Sequence, residues 1–149
     1  MIQEEWDVLA TFEQNNEALT APWLRVLEAF GDATHLRIEA TGRWQVLGGD
    51  IQPCGPDGHM ELSLAPERLL VAAAPAGALI GKIGGSSVGR TDGHVFPIGS
   101  LCTVAIPDKS VGPLYVAVNG GWLRPGTILT QIRVVIAGAR PSFPPSPSG

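Results

Sequence analysis

The residues most suggestive of chemistry lie in the stretch Gly77–Ser87, GALIGKIGGSS, where a lysine stands among glycines. A phosphate-binding P-loop has four residues between its first glycine and a Gly-Lys pair, and Ser or Thr follows that pair. Here three residues separate Gly77 from Gly81, and Ile83 follows Lys82. The flanking sequence also predicts no βαβ unit, which a dinucleotide fingerprint requires. We therefore exclude nucleotide binding for this stretch.

No other pattern in the chain predicts catalysis. The HExxH motif is absent, and no nucleophile stands near an obvious base. The two cysteines, Cys54 and Cys102, do not have the CxxC or Cys/His spacing of a zinc site. A single disulfide and two small buried thiols both stay open as interpretations of this pair. The sequence therefore predicts a protein that is not an enzyme.

The composition narrows the class of protein further. The 149 residues amount to one domain, and their net charge of -4 without any run of basic residues argues against a nucleic-acid partner. No apolar run is long enough to span a membrane, and the acidic N-terminus does not resemble a secretory signal. We therefore expect no membrane insertion, and either a cytoplasmic location or export by a route without a signal peptide.

Glycine and proline decide which elements can form. The 19 glycines and 13 prolines disfavour long helices and favour short strands joined by turns. Alternating or β-branched segments predict strands over His35–Thr41, Thr103–Ile106, Leu114–Val118 and Ile128–Ile136. Weaker strand patterns cover Glu5–Phe12, Leu69–Ala74 and Ala78–Ile80. The spacing in Pro22–Phe30 fits a helix as well as a strand, and we favour the strand. Together they predict an all-β, antiparallel β-sandwich domain over residues 1–138, followed by a disordered Pro/Ser tail over 139–149.

Several motif blocks follow one another along the chain. The blocks are Gly31-Asp-x5-Ile38-x-Ala-x-Gly42-x-Trp44, Pro75-x-Gly77-Ala-Leu-x-x-Lys82-Ile-Gly84, Phe96-x-Ile98-Gly99 and Gly112-x-Leu114-Tyr-Val-x-Val-Asn119. In this order and spacing, they resemble the bacterial galactophilic lectins of the PA-I type over residues 30–136. The resemblance implies a jelly-roll sandwich with a galactose-binding-domain-like fold, calcium-dependent galactose binding and a homo-oligomer.

The same resemblance places the calcium ligands of that family where this chain has few side-chain oxygens. The family's Asp falls at Gly120, its Thr at Arg124, and its two Asn at Thr127 and Ile128. Calcium takes six to eight oxygen ligands, and Arg124 would put a positive charge where the cation should be. We therefore expect no cofactor and an altered or calcium-independent site. Calcium stays an alternative if the loop alignment shifts far enough to recruit Asn119 or Asp92.

The remaining candidates lie at the end of the domain that the family uses for its ligand. They belong to the end of one strand, to the 48–59 loop, which also contains Asp57, and to the loop that follows Leu114–Val118. Aromatic rings pack on the apolar face of a sugar, while polar groups bind its hydroxyls. The predicted ligand-binding residues are Trp44, Asp50, His59, Asn119, Trp122 and Arg124. Packing in the core remains the alternative for Trp44, packing against the sandwich end for Trp122, and an exposed structural role for Arg124.

Two functions are consistent with these observations. The first is a carbohydrate-binding, lectin-like module that takes galactose or a related sugar on a glycoconjugate. The second is a non-catalytic protein-interaction, structural or oligomerisation module that kept the lectin scaffold and lost sugar binding.

Overall fold

The computed structural model of the chain describes residues 3–15, 17–18, 23–45, 53–59, 69–107, 110–120 and 128–142. These residues form strands, turns and bends, and none of them is helical. The strands are β1 (Gln3–Gln14), β2 (Glu17–Ala18), β3 (Leu24–Leu27), β4 (His35–Gln45), β5 (Leu79–Ile83), β6 (His94–Pro97), β7 (Leu101–Ala105), β8 (Leu114–Val118) and β9 (Ile128–Ser142).

The strands form two antiparallel sheets. The first has the order β1-β9-β4-β7, with β2 also paired to β9, and the second has the order β3-β8-β5-β6. Both sheets contribute to one core, to which the first supplies Leu36 and Ile136 and the second supplies Leu79 and Val116. Fully burying such a side chain stabilises a fold by about 1.5–3 kcal/mol. The all-β, antiparallel sandwich that the sequence predicts is confirmed at this level.

Strand β4 illustrates how the sequence sets the two faces of a sheet. Its side chains Leu36, Ile38 and Ala40 are buried, with charged residues between them on the opposite face. Successive side chains of a strand point to opposite faces, so this alternation commits one face to the core. The strand predicted over His35–Thr41 is confirmed, and it continues to Gln45.

The second sheet is covered on its outer face as well. Strands β5 and β8 are buried along their whole length, as expected for strands covered on both faces, and Lys82 is the one charged residue in them. A second apolar cluster, which includes Trp23, Ala74 and Tyr115, lies on that outer face. Residues 69–78 therefore form a cover on this sheet, not a strand within it. The strand pattern over Leu69–Ala74 was wrong.

The C-terminal strand extends further than the sequence predicts. Residues 139–142, the first part of the predicted tail, continue β9 and pair with β1, with Glu4 opposite Pro141. Past Ala139, β9 has lost its neighbour β4, so a residue without an N–H is tolerated on the open side. The rest of the predicted tail lies outside the described residues.

No helix in the described part of the chain has the length and apolar character needed to cross a bilayer.

Candidate functional site

Two loops, residues 53–59 and 69–78, meet the end of β8 at one end of the sandwich. The N–H of His59 donates to a carbonyl of the second loop at 2.7 Å, and the C=O of Asn119 accepts the N–H of Gly77 at 2.7 Å. The first bond joins the two loops to each other, and the second joins the second loop to the end of β8. The end of the sandwich is therefore tied together by backbone hydrogen bonds.

The amide of Asn119 is fully buried and shapes the second loop. Its Oδ1 accepts the N–H groups of Leu70 and Val71 at 2.9 and 3.2 Å. Its Nδ2 donates to the C=O groups of Val71, Ala74 and Pro75 at 2.9, 3.1 and 3.3 Å. These partners use every donor and acceptor of the side chain. Asn119, which the sequence proposed as a ligand contact, is thus a positioning residue with nothing left to offer a sugar.

Trp44 is also a core residue. Its ring is completely buried, and its Nε1–H donates to the C=O of Gly77 at 2.8 Å. Its backbone exchanges two hydrogen bonds with Cys54, at 2.9 and 3.0 Å. No face of the ring is open to a sugar, which corrects the assignment of Trp44 as a ligand contact in favour of the packing alternative. The correction follows from the burial of the end of β4 beneath the 53–59 loop.

His59 is half-buried within the tied loops. The other three candidates, Asp50, Trp122 and Arg124, lie outside the described residues, and their roles stay predictions. The structure therefore brings His59, Asn119 and Trp44 to the same end of the sandwich, with two of the three sealed inside it.

An open cleft of about 490 Å³ lies beside these tied loops. One wall is the part of the second loop that Asn119 holds, and the opposite wall is the turn from β6 to β7. Most lining side chains are small or apolar: Ala73, Ala74, Pro75, Pro97, Ile98 and Leu101. Polar side chains are few, which is typical of small-molecule sites, where sparse polar groups fix the orientation of a ligand.

The carboxylate of Asp57 is the charged group of this cleft. Its Oδ1 accepts the N–H of Ser100 at 2.9 Å. Gly99 has a φ of 68°, and a Cβ there would lie 2.9 Å from the same oxygen, so a glycine permits this approach. One carboxylate oxygen is therefore fixed, and the other is available to accept hydrogen bonds. Thr103 also lines the cleft.

The sequence predicts only part of the lining of this cleft. Asp57 stands in the loop that we singled out, but nothing in the sequence marks it over its neighbour Asp50. Ser100 lies in the turn before β7 and Thr103 in β7 itself, both more than forty positions from Asp57 in sequence. Their proximity to Asp57 is a consequence of sheet topology, which local patterns do not encode.

Both cysteines are free thiols. Burial raises the pKa of the Cys102 thiol, at the edge of the cleft. Burial also raises the pKa of Cys54, against a smaller opposing effect of Arg43. A raised pKa keeps both groups protonated near neutral pH, and the thiol is a poorer nucleophile than the thiolate.

The glycine-rich stretch encloses the ammonium of Lys82, which is fully buried. Nζ donates to the C=O groups of Ser86 and Gly89 at 2.5 and 2.6 Å, and to Oδ1 of Asp92 at 2.6 Å. The glycine at 89 is required because a Cβ there would overlap the Asp92 carboxylate. The loop therefore folds around its own lysine, whose ammonium is inaccessible to a phosphate.

Two aromatic rings complete the surroundings of this ammonium. Nζ lies 4.9 Å from the ring centroid of Trp23 and 5.2 Å from that of Tyr115, within the range of cation–π attraction. The hydrogen bond from Lys82 is the main cause that lowers the pKa of Asp92 to about 2. The glycine-rich stretch thus has a structural role, in which Lys82 of β5 holds the following loop through hydrogen bonds.

Among the described residues, no group of three or more His, Cys, Asp or Glu side chains is arranged to hold a metal ion.

The sequence matches no protein-family model, and no curated protein matches it. The function must therefore be inferred from the residues and geometry above.

Proposed function

We propose that this protein is a non-catalytic carbohydrate-binding module, of the galactophilic-lectin kind, that binds galactose or a related sugar without calcium. Its fold would then be the jelly-roll, galactose-binding-domain-like form of the β-sandwich. The cleft beside Asp57 is the sugar site, and the observation that carries the proposal is the pairing of a fixed carboxylate with an apolar lining in one open cavity.

The size and lining of the cleft suit a small polar ligand. Its volume of about 490 Å³ lies within the range of about 300–1,000 Å³ found for small-molecule sites. The free oxygen of Asp57 would accept hydrogen bonds from hydroxyl groups of the sugar, since charge-assisted hydrogen bonds are the stronger ones. The exposed side chain of Leu101 would pack against the C–H face of the pyranose.

The fixed walls support the proposal because a preorganised site loses less entropy on binding. One wall is held by the five hydrogen bonds of Asn119, the other by the bond between Asp57 and Ser100. A sugar would meet these groups already in position.

Calcium independence follows from the side chains at the positions of the family's ligands. Gly120 has no side chain, Ile128 has no oxygen and Arg124 is cationic. A carboxylate that binds hydroxyls directly would replace the ion in holding the sugar.

The experiment is calorimetry with galactose, supported by a glycan array, each run with calcium and with chelator. We expect binding that chelator leaves unchanged. Asp57→Asn should weaken it by about tenfold, or 1.4 kcal/mol, because a charge-assisted hydrogen bond becomes a neutral one. Glu28→Gln, which changes an exposed carboxylate elsewhere, serves as the matched control and should bind as the wild type does. No binding to any glycan under either condition would refute the proposal, and an unaffected Asp57→Asn would place the site elsewhere.

A protein-interaction module is the second candidate, favoured by a specific observation. Within the described residues the cleft lining contains no aromatic ring on which a sugar could stack, and strand β7 beside it is an open, uncharged sheet edge. Absence of glycan binding together with self-association would favour this function.

A further inference from the structure

Strand β7 is the edge of the first sheet, and among the described residues no further strand pairs with its outward side. The bonds Ala40 N–H to Ser100 C=O and Ile106 N–H to Thr34 C=O fix the pairing with β4. Alternate residues of an antiparallel strand bond to the same neighbour, so Cys102 and Val104 bond to β4. Leu101, Thr103 and Ala105 direct their N–H and C=O groups outward. In the part of the chain that the structure describes, nothing bonds to those groups.

The other sheet edges carry features that discourage pairing, and β7 does not. Strand β1 is acidic and has a bulge between Val8 and Ala10. Strand β3 is four residues long, contains Arg25 and is also bulged, and β6 ends at Pro97. Charges, bulges and proline are the usual means by which natural sheets protect their edges. The five residues of β7, LCTVA, contain neither charge nor proline, and no bulge interrupts its ladder with β4.

The outward face of β7 is uncharged and largely apolar, whereas the solvent-exposed edge strand of a sheet usually carries polar side chains. Leu101 is 60% exposed, one of the few large hydrophobic side chains at the surface of the described residues. Thr103 and Ala105 are exposed beside it on the same face, while Cys102 and Val104 point inward and are half-buried. A partner that pairs with this edge must therefore offer uncharged, alternating side chains.

A second copy of β7 has those properties. We infer that two copies of this chain pair through antiparallel β7 strands, with Thr103 on the two-fold axis. In this register Thr103 faces the partner's Thr103, and Leu101 faces the partner's Ala105. Each of these pairs, and the symmetric Ala105 pair, exchanges two N–H···O=C bonds, so every open backbone group of β7 is satisfied. The first sheets of the two copies become one continuous sheet.

The side chains agree with this register. Leu101 is covered by the small Ala105 of the partner, threonine meets threonine, and Cys102 lies opposite the partner's Val104 on the inner face. Cross-strand pairs of threonines and of apolar side chains are favourable, and no like charges oppose each other. In a closed two-fold contact the β7 edges of the two copies pair with each other, so no third copy can add to this edge.

Pairing through β7 would also place the proposed sugar clefts of the two copies close together. Leu101, Cys102 and Thr103 line the proposed sugar cleft. The two clefts would therefore lie next to each other across the two-fold axis, with the partner's strand beside each one. A module with two adjacent sites can bind a multivalent glycoconjugate more tightly than one site alone.

The test is the solution mass of the full chain, measured by analytical ultracentrifugation from about 1 μM to about 1 mM, because a short edge gives a small interface. We expect the wild type to form a dimer within this range. Thr103→Lys, which places two ammonium groups at the axis, should halve the mass with an unchanged circular dichroism spectrum. Thr11→Lys makes the same exchange at an exposed position of the opposite edge and should leave the dimer intact. A monomeric wild type, or a Thr103→Lys variant that still dimerises, would overturn the inference.

A cross-link tests the register without destabilising the interface. Val104→Cys places a thiol opposite the partner's Cys102, and mild oxidation should produce a covalent dimer. Ala105→Cys, which faces the partner's Leu101, is the matched control and should not cross-link. Equal cross-linking of the two variants, or none in either, would contradict the register.

Discussion

Replacing Asn119 by alanine should loosen the wall of the cleft, and the structure indicates by how much. The amide makes five hydrogen bonds to the backbone of residues 70–75. Each buried polar group left without a partner costs about 1–3 kcal/mol. Several of these groups are only partly buried, so water can replace some of the lost bonds. We therefore expect a total loss of about 2–4 kcal/mol in the free energy of unfolding.

Urea unfolding followed by tryptophan fluorescence measures this loss. With an m-value of about 2 kcal/mol/M, the midpoint should fall by about 1–2 M. Asn15→Ala, at an exposed position, is the matched control and should remain within about 0.5 kcal/mol of the wild type. If Asn119→Ala were as stable as this control, Asn119 would not organise the wall.

The Asn119→Asp variant adds a pH dependence with a defined sign. Aspartate still accepts the N–H groups of Leu70 and Val71, but it turns an oxygen toward the C=O groups of Ala74 and Pro75. Burial and these carbonyls disfavour the charged form, so the folded pKa should rise above the unfolded value of about 3.9. The destabilisation relative to wild type should then be smallest below that value and grow as the pH rises through the folded pKa. A difference that does not change with pH would contradict this assignment.

Two further substitutions test packing and charge elsewhere in the second sheet. Gly81→Ala should lower the stability by about 1–3 kcal/mol, because a Cβ there would lie 2.6 Å from Cζ of the Phe96 ring; wild-type stability in urea would show that the ring moves freely. The pKa of Asp92, which the hydrogen bond from Lys82 lowers to about 2, makes the carboxylate stabilising above its unfolded pKa, and this contribution is lost as the pH falls through about 2. The gap in stability between wild type and Asp92→Asn should therefore narrow in acid, and a gap that widens would refute the role of the ion pair.

Where local pattern and tertiary pairing agree, the strands could be predicted from sequence. Leu114–Val118 is a strand with the predicted bounds, because a continuous apolar run between Pro113 and Asn119 suits a doubly covered strand. Strand β6 was not predicted, since His94–Pro97 follows an Asp-Gly turn and contains a proline. Strand β6 forms because it pairs with β5 through backbone hydrogen bonds, and such pairing joins residues that are distant in sequence.

The candidate site could be predicted only in outline. The sequence placed Asn119 and Trp44 at the same end of the sandwich, where the structure has them, but it does not reveal that the loop over 69–78 folds back to bury the amide of Asn119. The bonds that bury it join residues separated by 44 to 49 positions. Lys82 stood out in the sequence for its glycine neighbours, whereas its partner Asp92 lies beyond the motif. Burial of this kind depends on long-range contacts, which the spacing of residues does not encode.

The most direct test of sugar binding in the cleft is a titration of the ¹⁵N-labelled protein with galactose in chelator, followed by amide shifts in two-dimensional NMR. The proposal predicts saturable shifts at Ser100, Thr103 and Ala74, around the carboxylate of Asp57, and no shifts along β1. An absence of shifts, or shifts confined to residues far from the cleft, would contradict it.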